Sequence, residues 1–145
     1  MAMAEPTLAE CIIYQQWKVM MTKPKTTGAR VAVYFNHRVQ TDLFTLWGRL
    51  YIILVGEAIR DCVCNDLSTR DSSTWLQVFL NVWVRYFGAP HVIVSDQEGA
   101  VISDLVGKAC EAFDIDRDLQ GSEERARTGI AERKLGIIKL AALNL

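Results

Sequence analysis

The sequence predicts an α/β domain built on one mixed sheet of five strands, and two observations carry that reading. Three strand-like runs, Val39–Leu46, Leu50–Val55 and Asp61–Asp66, follow one another with only a short turn about Gly48 and the stretch Gly56–Arg60 between them. Links this short allow antiparallel hairpins and exclude parallel crossovers. After the third run the pattern changes to helix, strand, helix, strand, helix, which adds strands to the same sheet and covers its faces with helices.

The elements follow in order. Ser72 or Ser73 is positioned to cap a helix that runs to about Phe87. Leu76, Phe79, Leu80, Trp83 and Phe87 form its core-facing stripe, while Trp75, Val78 and Val82 add apolar surface elsewhere. Gly88 and Pro90 stop it. His91–Val94 is a short buried strand whose end carries Asp96. A second helix, about Ala100 to Phe113, is expected to bury Leu105, Ala109 and Ala112. A weak strand near Ile115–Leu119 and a charged loop, Gln120–Thr128, lead to a last helix from Gly129. There Ala131, Leu135, Ile138, Ala142 and Leu145 repeat at helical spacing, and Glu132 and Lys139 share another face.

Composition bounds the rest. The chain has 145 residues, half of them hydrophobic, enough for one core. No apolar run approaches the ~20 residues of a membrane span, and Glu5, Pro6 and Glu10 interrupt any secretory signal, so an intracellular protein is expected. The net charge of −1 disfavours a protein basic all over, so any nucleic-acid contact must be local. Cys11, Cys62, Cys64 and Cys110 lack a Cys/His partner pair at zinc-finger spacing and read as ordinary buried or half-buried thiols, with Cys62 and Cys64 on one strand face. Residues 1–31 read as an extension and linker, the polar stretch Thr22–Gly28 containing Pro and Gly, and residues 32–145 as the folded domain.

Three acids stand out. Asp42 lies in the first strand, Asp96 ends the buried strand and Glu132 opens the last helix, with thirty-five residues between the last two. Taken singly they read as a surface acid, a turn aspartate and a solvated helix residue beside a positive N-terminus. Taken together, two strand positions and a helix make an all-oxygen site suited to Mg²⁺ or Mn²⁺ rather than zinc. Crowded carboxylates repel unless a cation joins them. Glu123 and Glu124 are rivals for the third acid but sit in the loop.

These acids carry a resemblance, together with Tyr86-Phe87-Gly88-Ala89-Pro90, Ser95-Asp96-Gln97 and Gly129-Ile130-Ala131-Glu132-Arg133 in the same order. From about Phe35 to Lys139 the chain resembles the catalytic core of retroviral and LTR-retrotransposon integrases, of the RNase H-like superfamily. The resemblance implies an RNase H-like fold and a metal-dependent polynucleotidyl transferase that trims DNA 3′ ends and joins them to target DNA. It implies two Mg²⁺ or Mn²⁺ ions, with Asp42 bridging both, Asp96 on one and Glu132 on the other. Water is then the nucleophile for trimming and a DNA 3′-hydroxyl for joining. Retroelement ends and target DNA become the partners, the homodimer or a higher oligomer the assembly, and the nucleus the place of action. Lys139 matches a position that touches DNA phosphate, and Arg133 and Lys134 lie beside it as further backbone contacts. Ordinary solvated helix charges are the alternative for all three.

The chain also departs from the family pattern. Glu98 stands where many relatives have glycine, and the loop Gly121–Thr128 lacks the usual proline and asparagine. Cys11-Ile12-Ile13-Tyr14 resembles the tail of the zinc-binding domain that precedes such cores, but Tyr14 replaces the second cysteine, and an arbitrary extension fits as well. The sequence ends at Leu145, before the small β-barrel domain that follows integrase cores. A catalytically silent DNA-binding or interaction module derived from such a core is therefore the rival reading. An RNase H-type nuclease, which would need a fourth acid, ranks below both.

Overall fold

The computed structural model describes residues 32–96, 99–120 and 129–143. The proposed extension 1–31, Glu98 and the loop 121–128 with its rival acids lie outside the described residues. Strands β1 (Arg38–Leu46), β2 (Arg49–Gly56) and β3 (Cys62–Leu67) form the expected antiparallel meander. The β1–β2 link is two residues, Trp47 and Gly48, both at positive φ (49° and 74°). Tight hairpins use such a turn because its twist matches that of the strands. β4 (Val92–Asp96) adds parallel to β1, and β5 (Asp116–Gln120) parallel to β4. The sheet order is β3-β2-β1-β4-β5, the predicted mixed five-stranded sheet with its first three strands antiparallel.

Strand alternation sends the two faces of β1 to different cores. Val39, with Ile52, Leu54 and Ile93, faces the main core beneath the central helices. Phe44, with Ile53, Val55 and Ala131, faces a smaller core beneath the last helix, α5 (Gly129–Leu143). Ala131, Leu135 and Ile138 pack there as the helical spacing predicts, while Ala142 is half-buried and Leu145 lies outside the described residues.

The long helix begins as α1 (Ser72–Phe79), passes through a π-helical turn (Leu80–Val84) and ends as α2 (Arg85–Phe87). Its N-cap is Asp71, not Ser72 or Ser73, and the Asp71 carbonyl accepts the Trp75 N–H at 2.9 Å. Its buried row is Trp75, Phe79 and Trp83, at most 1% exposed, with Leu76, Leu80 and Phe87 only partly buried. Trp75 therefore belongs to the core-facing side, contrary to the predicted stripe. The wider π turn offsets the rotation that an i, i+4, i+8 row accumulates in a regular α-helix, which keeps the three aromatics in line. Asn36 locks the end of this helix, because its side chain accepts from Trp83 Nε1 (2.9 Å) and donates to the carbonyls of Phe87 (3.0 Å) and Gly88 (3.1 Å).

The predicted helix Ala100–Phe113 is two helices, α3 (Gly99–Ile102) and α4 (Asp104–Ala112). Ser103 divides them, its hydroxyl donating to the Ala100 carbonyl (2.9 Å) and accepting from Val106 N–H (3.3 Å). The restart shifts the buried phase by one residue, to Val106, Gly107 and Cys110, while Leu105 is 47% exposed and Ala112 is exposed. Gly107 makes room for the Arg117 guanidinium, since a Cβ there would lie 2.8 Å from Arg117 Nη2. Cys110 is buried, Cys62 half-buried and Cys64 exposed, the last unlike the expectation because β3 is an edge strand. Burial pushes the Cys62 and Cys110 thiols up. Among the described residues no helix is long and apolar enough to cross a membrane.

Candidate functional site

Parallel pairing brings the two aspartates together. Gln40 pairs with Val94 and Thr41 with Ser95, so Asp42, in the middle of β1, and Asp96, the last residue of β4, follow as the next pair in register where the β1–β4 pairing ends. Both fall on the face covered by α5, the face of Gln40 and Phe44. The carboxyl ends of parallel strands open into a crevice in such sheets, where ligands gather. Glu132 reaches the same place from α5, one residue after Ala131, whose N–H donates to Gln40 Oε1 at 3.0 Å.

Electrostatics gives the same grouping. Asp42 is half-buried, and its carboxyl is held above the usual aspartate range. Burial is the largest cause and the negative charge of Asp96 the next. The Leu43 N–H, donated to Asp42 Oδ1 at 2.8 Å, and the Lys139 ammonium pull it down, while the charge of Glu132 pushes it up. Asp96 and Glu132 are exposed, which gives the cluster an open mouth. Among the described residues, no three His, Cys, Asp or Glu side chains are drawn tightly enough to cage a metal ion. The donor set nevertheless suits a hard divalent cation, being carboxylate oxygen throughout, and Asp42 carries the charge strain that a cation relieves.

The three predicted DNA-contacting cations separate. Lys139 lies on the acid side, its Nζ 5.8 Å from the Phe44 ring centroid and its charge felt by Asp42. Arg133 and Lys134 instead line a recess of about 250 Å³ with Ile130, Ile137 and Arg60. Arg60 was not foreseen, because a lone arginine in the β2–β3 link has no periodic signal.

No family model and no curated protein matches the sequence. Solved structures do match. The fold is that of retroviral integrase catalytic cores, an RNase H-like fold, as the resemblance implied. A chain of the simian T-cell lymphotropic virus intasome in complex with PP2A regulatory subunit B56 gamma superposes with a TM-score of 0.70 at 19% identity. That match covers 94% of this chain and 54% of the intasome chain, so this chain spans about half the length of that relative. The HTLV-2 integrase catalytic core domain in complex with magnesium matches in its trimeric form at TM-score 0.62 and 22% identity, covering 76% of this chain and 70% of that one. Its dimeric form matches at 0.61 and 21%, covering 74% and 70%.

Proposed function

We propose that the chain is the catalytic core of a retroelement integrase, a polynucleotidyl transferase acting on DNA 3′ ends. The observation that carries this reading is the grouping of Asp42, Asp96 and Glu132 at one end of the β1–β4 pair, on a fold shared with integrase cores. Asp42, Asp96 and Glu132 would hold Mg²⁺ or Mn²⁺, two ions in the family pattern, and the HTLV-2 relative is a magnesium complex. Bound divalent ions of this kind activate an attacking oxygen and stabilise the leaving oxygen of a phosphodiester.

The chain's own residues supply the rest. Asp42, shielded on its buried side and fixed by the Leu43 N–H, gives a rigid donor at the floor. Exposed Asp96 and Glu132 leave the mouth open to a DNA end. Lys139 sets a positive charge beside the acids for a phosphate of that end, and Arg133, Lys134 and Arg60 offer a second basic patch for backbone. Such contacts bind without reading sequence, and being few and local they are compatible with a net charge of −1. The relatives' dimeric and trimeric forms support self-association, and action on chromosomal DNA implies the nucleus.

A disintegration assay tests the reading, using branched DNA that mimics the joined product, with Mn²⁺ and then Mg²⁺. The parent chain is expected to resolve the branch and Glu132→Gln to leave it intact. A parent that neither resolves the branch nor binds Mn²⁺ would replace this reading with that of a silent module.

A further inference from the structure

The face of β1 that carries Asp42 also buries two strongly polar residues, Arg38 at 9% and Gln40 at 0% exposure. They belong to one connected chain of contacts. Asp118 Oδ2 lies 2.7 Å from Arg38 Nη2, and Arg38 Nε lies 3.3 Å from Glu57 Oε2. Gln40 Nε2 donates to Glu57 Oε1 at 2.8 Å, and Gln40 Oε1 accepts the Ala131 N–H at 3.0 Å. Glu57 is itself only 5% exposed, and its backbone N–H donates to the Arg38 carbonyl at 3.0 Å. The row runs from β5 through β1 and the β2 end to the first turn of α5.

Its last link is chemically specific. The first four N–H groups of a helix have no partner within it. Ala131, third in α5, donates its orphan N–H to a strand side chain, Gln40 Oε1. Stability alone does not account for the row, because buried ionic networks are commonly replaced by apolar packing without loss. What apolar packing does not supply is a single directional anchor for the helix turn that carries Glu132.

We infer that Gln40, braced by Glu57 and Arg38, is a positioning residue that sets the first turn of α5 against β1 and so holds Glu132 beside Asp42. The inference rests on the proposed metal site and names what builds it. Gln40 acts here through the helix turn that carries Glu132.

The test uses the full chain as parent, Gln40→Leu, the double exchange Gln40→Glu with Glu57→Gln, and Glu132→Gln. Three quantities are read: Mn²⁺ affinity by calorimetry, hydrogen exchange of the Ala131 amide without metal, and the thermal midpoint. Gln40→Leu should exchange the Ala131 amide at least ten-fold faster and bind Mn²⁺ about ten-fold more weakly, as loss of a supporting contact does at metal sites. The double exchange should restore both, because a carboxylate at position 40 still accepts the Ala131 N–H and now accepts from the amide at position 57. Unchanged Mn²⁺ affinity in Gln40→Leu, with Glu132→Gln weakened, overturns the inference while leaving the metal site standing. Equal affinity in Glu132→Gln and the parent overturns the metal site itself, and with it any role of Gln40 in positioning a ligand. Should Gln40→Leu fail to fold, the double exchange decides: parental affinity supports the inference, and a loss at parental thermal midpoint overturns it.

Discussion

Ala131 donates its backbone N–H to Gln40 Oε1 at 3.0 Å, across a separation of 91 residues. That bond joins the strand of Asp42 to the helix turn of Glu132, two residues from the first acid and one from the second. A strand carboxylate and a helix carboxylate keep a fixed relation only if strand and helix do. The apolar contacts of Ala131, Leu135 and Ile138 on Phe44, Ile53 and Val55 hold the helix down, and the directional bond sets where along the strand its first turn lies.

The first prediction concerns pH. Asp42 is held above its ordinary value of 3.8, so the folded state binds its proton more tightly than the unfolded state. Its contribution to stability is full below about pH 3.8 and is lost as pH rises through the folded value. Asp42→Asn, which keeps an oxygen for the Leu43 N–H, should therefore raise the metal-free melting temperature at pH 7 and leave it nearly unchanged at pH 3. Thermal denaturation followed by circular dichroism at both pH values checks this. A lower melting temperature at pH 7 would contradict it.

A second prediction separates two neighbours on α4. Val106 is fully buried and Leu105 is 47% exposed. Val106→Ala should lower unfolding free energy by about 2 kcal/mol, the loss of buried methyl groups plus the space they leave. Leu105→Ala should change it by no more than roughly 0.5 kcal/mol, as at exposed positions generally. Urea denaturation measures both, and the reverse order would restore the phase expected from the sequence.

That reversal of phase marks where the sequence was legible and where it was not. The β1–β2–β3 meander could be read because alternation and short links are local signals, and the register that aligns Asp42 with Asp96 follows from the parallel pairing of β1 and β4. α4 was misread because Ser103 looks like any helix-interior serine until its hydroxyl is seen capping Val106. Trp75 was misplaced because no residue pattern announces a π turn five residues downstream. Of the candidate site, the acids were legible from spacing and flanking residues, while Gln40, Glu57 and Arg60 were not. A buried glutamine acquires meaning only from what it touches.

The third prediction tests the lock at the end of the long helix. Asn36→Ala removes three side-chain hydrogen bonds, to Trp83, Phe87 and Gly88, and places alanine at φ 59°. At about 0.5–1.5 kcal/mol for each bond, the loss should total about 1.5–4.5 kcal/mol. Trp83→Phe removes one bond and some volume and should lose about half as much. Equal losses in the two variants, measured by urea denaturation, would contradict the lock.

The fourth prediction concerns DNA. Arg133→Ala and Lys134→Ala should each weaken binding to unrelated duplexes by a similar factor and reduce the slope of log affinity against log salt by about 1. Arg60→Ala should behave alike, because it lines the same recess. Fluorescence anisotropy across a salt series measures the slopes. An unchanged slope in all three variants would remove this patch from the DNA-binding surface.

The central claim, that Asp42, Asp96 and Glu132 form one metal site, is tested most directly by diffraction at the manganese absorption edge from crystals grown with Mn²⁺. The account predicts an anomalous peak about 2.0–2.2 Å from carboxylate oxygens of both Asp42 and Asp96, with Glu132 turned toward it. Ordered crystals saturated with Mn²⁺ that place anomalous density only elsewhere on the molecule, or nowhere, would contradict it.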